Sequence, residues 1–263
     1  MHVFQKDIFK NKNVFITGGS SGINLTIARY FAQYGARVAI IARRAGKIQM
    51  AVDTITREDG TAIGWEADVR DYQELRTAVE NTVSKWGQLD YVIAGAGRNM
   101  LSLAVDLSVK NFRDIIDIDL NGTFNTVKAC FDFLRKPNSS IIAISAVQAE
   151  MAMQYQSHVG AAKAGIEMLV KTLALEWGHM GIRVNAISPG PIENTEGMGR
   201  LTPDNDLKDR ICQTIPLQRY GKTDEIANCA IFLCSDAASY ITGTIITVDG
   251  GARFSNGDVF KMA

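Results

Sequence analysis

The sequence has no excess charge of either sign: 28 basic and 28 acidic side chains balance among 263 residues. Without a basic stripe, nucleic acid or an anionic membrane surface is a poor partner for it. It has no apolar run longer than a strand, so nothing in it is expected to span a bilayer. Residues Met1 to Lys12 are polar and mixed in charge, with no apolar signal core. The four cysteines, Cys130, Cys212, Cys229 and Cys234, lack metal-site spacing, and no metal is expected. Cys229 and Cys234 fall in one helical pattern and read as buried free thiols, which points to a reducing compartment. The C-terminal Lys261-Met262-Ala263 is not a peroxisomal address, so a cytoplasmic location is the expectation. Repeats and low-complexity linkers are missing, and one domain over residues 1–263 is expected.

What the sequence does contain is an alternation. Short β-rich apolar runs predict strands over Asn13–Thr17, Arg37–Ala42, Ala62–Ala67, Tyr91–Ala94, Ser140–Ser145, Arg183–Ile187 and Thr244–Val248. Between them, apolar residues at helical spacing predict helices over Ile23–Tyr34, Lys47–Glu58, Tyr72–Trp86, Val109–Leu134, Gln156–Trp177 and Asp224–Cys234. Gly35, Gly60, Gly87 and Gly178 follow helix ends, where a left-handed cap is expected. Unbroken alternation predicts an α/β fold: a Rossmann-type, doubly wound, parallel seven-stranded sheet with helices on both faces and its ligand at the strands' carboxyl ends. The stretch Ser188–Asp209, with Pro189, Pro191 and Pro203, is polar and long for a connection, and is expected to form a substrate lid.

The first strand runs directly into Thr17-Gly18-Gly19-Ser20-Ser21-Gly22-Ile23-Asn24, and a helix follows. Pyrophosphate approaches backbone N–H groups at a helix N-terminus most closely where no Cβ intervenes, so Thr17, Gly18, Ser20, Ser21, Gly22 and Ile23 are candidate cofactor residues. The second strand ends in Arg43-Arg44, where an NAD site would carry a carboxylate for the ribose 2′-hydroxyl. Two guanidiniums suit a 2′-phosphate instead, which favours NADPH.

The glycine segment resembles the Thr-Gly-x-x-x-Gly-x-Gly signature of the short-chain dehydrogenases/reductases, and the resemblance extends over nearly the whole chain. Asn24 departs from it, standing where the family has its third glycine. The resemblance implies further cofactor contacts. Asp68-Val69 looks like the adenine-contacting pair, and Ala94-Gly95-Ala96-Gly97 resembles the Asn-Asn-Ala-Gly segment with both asparagines lost. Ser188-Pro189-Gly190-Pro191-Ile192 resembles the loop holding the nicotinamide amide, and Thr195 the threonine near the carboxamide and phosphates.

The family's usual machinery is a Tyr-x-x-x-Lys helix, a serine on the fifth strand and an asparagine on the long helix. Here Lys163 fits the lysine, but the tyrosine position is Val159, the serine position is Ala146 beside Ser145, and the asparagine position is Asp119. Valine transfers no proton, so ordinary alcohol–ketone chemistry lacks its acid–base group. Three readings stand open: a degenerate cofactor binder, a reductase that uses Tyr155 or His158 as its acid on a ketone or sugar, or reduction of a bond that needs no proton delivered to oxygen.

The chain is similar to the 2,4-dienoyl-CoA reductases, especially the peroxisomal branch. The likeness runs through Ile118-Asp119, His158-Val159-Gly160-Ala161-Ala162-Lys163, Gly190-Pro191-Ile192-Glu193-Asn194-Thr195-Glu196-Gly197 and Asp249-Gly250-Gly251-Ala252. That branch works with an aspartate matching Asp119 beside the lysine matching Lys163. The mitochondrial branch uses a tyrosine at the position of Gln148. Asn99 matches an asparagine at the thioester oxygen, which makes Asp119, Lys163 and Asn99 the candidate catalytic residues and Asn99, Ser145 and Tyr155 the candidate substrate contacts. The implied substrate is an acyl-CoA thioester. Asp119 is expected to act either as an acid, its carboxyl made less acidic by burial, or as the holder of a protonating water. The resemblance also implies a homotetramer built on the helices Val109–Leu134 and Gln156–Trp177.

Overall fold

In a computed structural model that describes residues 4–195, 198–199 and 205–254, the seven apolar runs form the strands β1 (Asn13–Thr17), β2 (Arg37–Ala42), β3 (Thr61–Glu66), β4 (Tyr91–Ala94), β5 (Ser139–Ile144), β6 (Ile182–Pro189) and β7 (Ile245–Val248). All pair in parallel, in the order β3-β2-β1-β4-β5-β6-β7. Central strands are buried on both faces, which is why they read as continuous apolar runs. Successive side chains point to opposite faces, and β1 shows this in its core partners. Val14 and Ile16 join Ile27, Phe31, Ile226 and Ile231 on one side. Phe15 joins Leu75, Val127, Ile166 and Val170 on the other.

The helices are α1 (Gly22–Gln33), α2 (Ala45–Arg57), α3 (Tyr72–Trp86), α4 (Val109–Ile116), α5 (Gly122–Cys130), α6 (Ser157–Trp177), α7 (Asn205–Thr214) and α8 (Thr223–Cys234). Among the described residues, no helix is long and apolar enough to cross a membrane. The lid expected over Ser188–Asp209 falls partly outside the described residues, at 196–197 and 200–204. Its described part holds the end of β6, the turn to Thr195 and the start of α7.

The structure corrects two expectations. Only two of the expected glycine caps, Gly35 and Gly87, have positive φ; beyond α2 the left-handed residue is Asp59 (φ 61°), and beyond α6 it is Gly181 (φ 73°), while Gly178 stays right-handed. The helix expected over Val109–Leu134 is not continuous. Between α4 and α5 lies a wide π turn, Asp117–Asn121, in which the Gly122 N–H reaches back five residues to the Asp117 carbonyl. The apolar period continues through the turn, so the pattern hides it, and such turns recur at functional sites. This one carries Asp119.

Chain order reverses between β1 and β4, and the carboxyl ends of those strands open the crevice where ligands of doubly wound sheets bind. There Thr17 is in register with Ala94. Gly95, the next residue, has both backbone groups held: its N–H donates to Thr17 Oγ1 at 3.2 Å, and its carbonyl accepts from Asn24 Nδ2 at 2.7 Å.

Candidate active site

The floor of the crevice is the turn from β1 into α1. Gly18 takes φ +71°, and a Cβ there would lie 2.9 Å from Ala96 Cα. Gly22 takes φ +56° at the first turn of α1. Ser21, the residue before the helix, gives it no side-chain cap. The first N–H groups of α1 are thus left to another acceptor, and glycines open the approach to them, which fits a dinucleotide pyrophosphate.

Asn24 resolves the departure from the glycine signature. Its amide bonds the Gly95 carbonyl and occupies the space a side chain at 95 would need: a Cβ built on Gly95 collides with the Asn24 carboxamide. The side chain lost after β4 has been replaced by one gained on α1.

Beyond the end of β2, Arg43 Nη1 lies 3.9 Å from Asp68 Oδ2 and is mostly exposed. Asp68 is engaged chiefly by Arg70, at 2.6 Å from Nη2 to Oδ2, and that guanidinium holds the Asp68 carboxyl below the usual carboxylate range. Val69 is buried, and its carbonyl accepts from Asn125 Nδ2. Arg44 precedes the first residue of α2. After β6, Gly190 N–H donates to the Val248 carbonyl, and Ile192 is buried and bridged to Gly221. Thr195 Oγ1 donates to the Ile192 carbonyl and accepts from the Met198 N–H, closing the loop on itself. A cavity of about 480 Å³ lies against Pro191 and Ile192 and reaches Thr247 and Asp249. Another, of about 350 Å³, sits on the outer side of β3 at Trp65 and Glu66 and contains none of the residues expected at the site.

The centre is a buried ion pair. Lys163 Nζ lies 3.1 Å from Asp119 Oδ2 and donates to the Ile144 carbonyl at 3.0 Å. The other oxygen, Asp119 Oδ1, accepts from the Arg98 backbone N–H at 2.9 Å. The Asp119 carbonyl accepts from Thr123 Oγ1 at 2.6 Å. With one oxygen on an ammonium and the other on a peptide N–H, Asp119 has the surroundings of a carboxylate that orients its neighbours. It is 1% exposed.

No tyrosine hydroxyl is among the Lys163 partners in the described residues. Val159, one turn before the lysine, is buried with Ile115 and Ala162 in a small apolar cluster between α4 and α6. Gln148 bonds Gln156. The structure therefore brings together Asp119, Lys163 and the loop carrying Asn99.

Ser145 is another of the expected substrate contacts. It is buried, and its hydroxyl donates to Glu167 Oε1 at 2.7 Å. Burial pushes the Glu167 carboxyl up, against the pull of that hydrogen bond. The Ser145 hydroxyl's one donor is thus spent on α6. Tyr155 is 46% exposed, with φ 67°, and its carbonyl accepts from the Ser102 N–H.

Two contacts had no sign in the sequence. The Arg98 N–H on Asp119 is a backbone donor, which no residue type encodes. His158, which reads equally as packing or proton relay, places Nε2 3.2 Å from the Met100 carbonyl.

The sequence profile of a family described as Enoyl-(Acyl carrier protein) reductase matches residues 18–253. The peroxisomal 2,4-dienoyl-CoA reductase SPS19 of Saccharomyces cerevisiae is 41% identical over 252 residues, covering 94% of this chain and 86% of the relative. The peroxisomal 2,4-dienoyl-CoA reductase of Arabidopsis thaliana is 39% identical over 262 residues, covering 96% and 88%. Among solved structures, a short chain dehydrogenase from Bacillus anthracis is 40% identical with a TM-score of 0.84, covering 93% of this chain and 97% of that one. A short-chain dehydrogenase/reductase from Serratia marcescens is 28% identical with a TM-score of 0.87, covering 93% and 99%. The chain belongs to the short-chain dehydrogenase/reductase family, enzymes that use NAD(P)H.

Proposed function

We propose that this enzyme is an NADPH-dependent reductase of conjugated dienoyl-CoA thioesters. One observation carries the reading: the buried partner of Lys163 is the carboxylate of Asp119, and the position of the usual proton-donating tyrosine is Val159, enclosed in an apolar cluster. Such a centre lacks the tyrosine that would pass a proton to a ketone oxygen, and conjugate reduction places its proton on carbon instead.

Thr17, Gly18, Ser20, Ser21, Gly22 and Ile23 form the pyrophosphate turn, and Ala94, Gly95 and Ala96 flank the adenosine ribose. Asp68 and Val69 face the adenine, while Pro189, Gly190, Ile192 and Thr195 hold the carboxamide end. Arg43 and Arg44 supply the charge that a 2′-phosphate selects. When bound, the reduced nicotinamide supplies a hydride, which forms a C–H bond at the δ-carbon of the dienoyl thioester. Electrons then move through the conjugated system to the thioester oxygen, where the Asn99 amide stabilises the dienolate. Proton addition at the α-carbon leaves the remaining double bond between the β- and γ-carbons, a 3-enoyl product. Asp119 accepts from its neighbours on both oxygens and is assigned to orient the protonating water and Lys163. Lys163 adds positive charge beside the ribose. Tyr155, partly exposed, forms a wall for the acyl chain. Ser145 ties the end of β5 to α6 through Glu167.

A homotetramer is proposed as well, because Val109, Phe112, Met168 and Leu175 leave apolar side chains exposed on α4 and α6. The free buried thiols Cys130 and Cys234 fit a reducing compartment such as the cytoplasm; relatives are named peroxisomal, and microscopy of a tagged full-length chain separates the two. The functional reading is tested by NADPH consumption with a short 2,4-dienoyl-CoA and analysis of the product by NMR. A 3-enoyl-CoA is expected, and absence of turnover contradicts the reading.

A further inference from the structure

We propose that His158 is a positioning residue: its ring holds the Met100 carbonyl and thereby fixes the backbone that carries Asn99. The role assigned to Asn99 rests on the function proposed above; the latch itself rests on geometry.

Asn99 is not held by its own side chain. Its Oδ1 is buried with no hydrogen-bond partner among the described residues. A carboxamide that stabilises an oxyanion must be placed before the charge develops, because misplacement by about 1 Å costs on the order of 100-fold in rate. Placement here falls to the backbone, which is tied at alternate residues. The Arg98 N–H donates to Asp119 Oδ1 at 2.9 Å. The Met100 carbonyl meets His158 Nε2 at 3.2 Å. The Ser102 N–H donates to the Tyr155 carbonyl at 3.0 Å. Asn99 lies between the first two ties, one anchored on the π turn and the other on α6.

A carbonyl can only accept, so Nε2 carries the hydrogen and Nδ1 is bare. Nδ1 is buried and unpartnered, and His158 is 0% exposed. Burial lowers the ring's pKa below its ordinary value, against the pull of the Met100 carbonyl, and Nε2 donates to that carbonyl in either protonation state. Nothing in this environment uses the ring as a relay: its one donor is spent on a backbone carbonyl. Tyr155 adds the third tie from a left-handed backbone, a conformation that disfavours a bulky side chain.

The test compares His158→Phe, which fills the space without a donor, with His158→Gln, whose amide reaches about as far as Nε2. Hydrogen exchange of the peptide spanning residues 97–107 reads the loop with no reference to activity. His158→Phe is expected to speed that exchange. Its kcat on dienoyl-CoA should fall roughly 10- to 100-fold, with NADPH affinity and thermal midpoint close to wild type. His158→Gln should recover most of both losses, and His158→Phe should add nothing in an Asn99→Ala background. Wild-type exchange in His158→Phe, or a glutamine variant as impaired as the phenylalanine one, overturns the proposal. If the protein fails to turn over dienoyl-CoA at all, the exchange comparison still decides the latch, so the two failures are distinguishable.

Discussion

The carboxamide of Asn24 fills the space that a side chain at Gly95 would need, and its Nδ2 bonds the Gly95 carbonyl at 2.7 Å. These two positions sit on opposite sides of the crevice between β1 and β4, so the residues are expected to be coupled. Gly95→Asn forces a second side chain into an occupied site and should cost about 1–3 kcal/mol. Asn24→Gly removes the hydrogen bond and leaves the Gly95 carbonyl unpartnered. The double variant should be more stable than the sum of the single changes predicts, by about 0.5–3 kcal/mol. Thermal unfolding of the four proteins measures this, and strict additivity contradicts the reciprocal packing.

The Asp119–Lys163 pair gives a second prediction. Asp119→Asn keeps the shape but leaves the Lys163 ammonium buried with no counter-charge. Removing one member of a buried pair typically costs about 3–5 kcal/mol, and loss of its hold on the protonating water and Lys163 should cost on the order of 100-fold in rate. NADPH titration should show affinity within a few-fold of wild type while turnover collapses and the thermal midpoint drops. Wild-type turnover removes Asp119 from the mechanism.

Arg43 and Arg44 are predicted to set cofactor choice. Arg43 is mostly exposed and only 3.9 Å from Asp68, leaving its remaining donors available. Charge-assisted hydrogen bonds contribute about 1.5–3 kcal/mol. Arg43→Ala with Arg44→Ala should therefore narrow the NADPH-over-NADH ratio of kcat/KM by about 10- to 100-fold. An unchanged ratio takes the arginines out of the account.

Glu167 provides a pH-dependent test away from the reacting atoms. Burial raises its carboxyl pKa in the folded state, so the fold favours the protonated form. The stability it contributes is full below the unfolded pKa and is lost as pH rises through the raised folded value. Glu167→Gln keeps an acceptor for Ser145 without the titration. It should raise the thermal midpoint at pH 8 by a few degrees, at about 2–4 °C per kcal/mol for a chain of this size. The gain should shrink toward pH 5. A variant that is less stable at pH 8 than at pH 5, relative to wild type, contradicts the assignment.

Legibility of the sequence varied by kind of contact. β1, β2, β4 and α3 have the bounds their patterns predict, because apolar period and the N-cap Asp71 of α3 are local signals. The π turn at Asp117–Asn121 was invisible, since apolar Ile118 and Leu120 continue through it and no proline interrupts the run. Asp119 and Lys163 could be named from the register of their motifs, but not the 3.1 Å between them. Asn24 was a visible departure from the glycine signature, yet its partner Gly95 is 71 residues away. Ser145 could be named from its adjacency to the usual serine position, but not the turn of its hydroxyl to Glu167, because adjacency says nothing about rotamer. The ties from Arg98 and Met100 are made by backbone groups common to every residue.

The central claim is that a centre built on Asp119 and Lys163, with Val159 in place of a proton donor, reduces conjugated thioesters and not ketones. Its most direct test is NADPH oxidation by the purified enzyme with a 2,4-dienoyl-CoA and a 3-oxoacyl-CoA of equal chain length, compared as kcat/KM. A preference for the dienoyl thioester of at least about 100-fold is expected, the scale of a missing general acid. Equal rates, or faster reduction of the 3-oxo substrate, would contradict it.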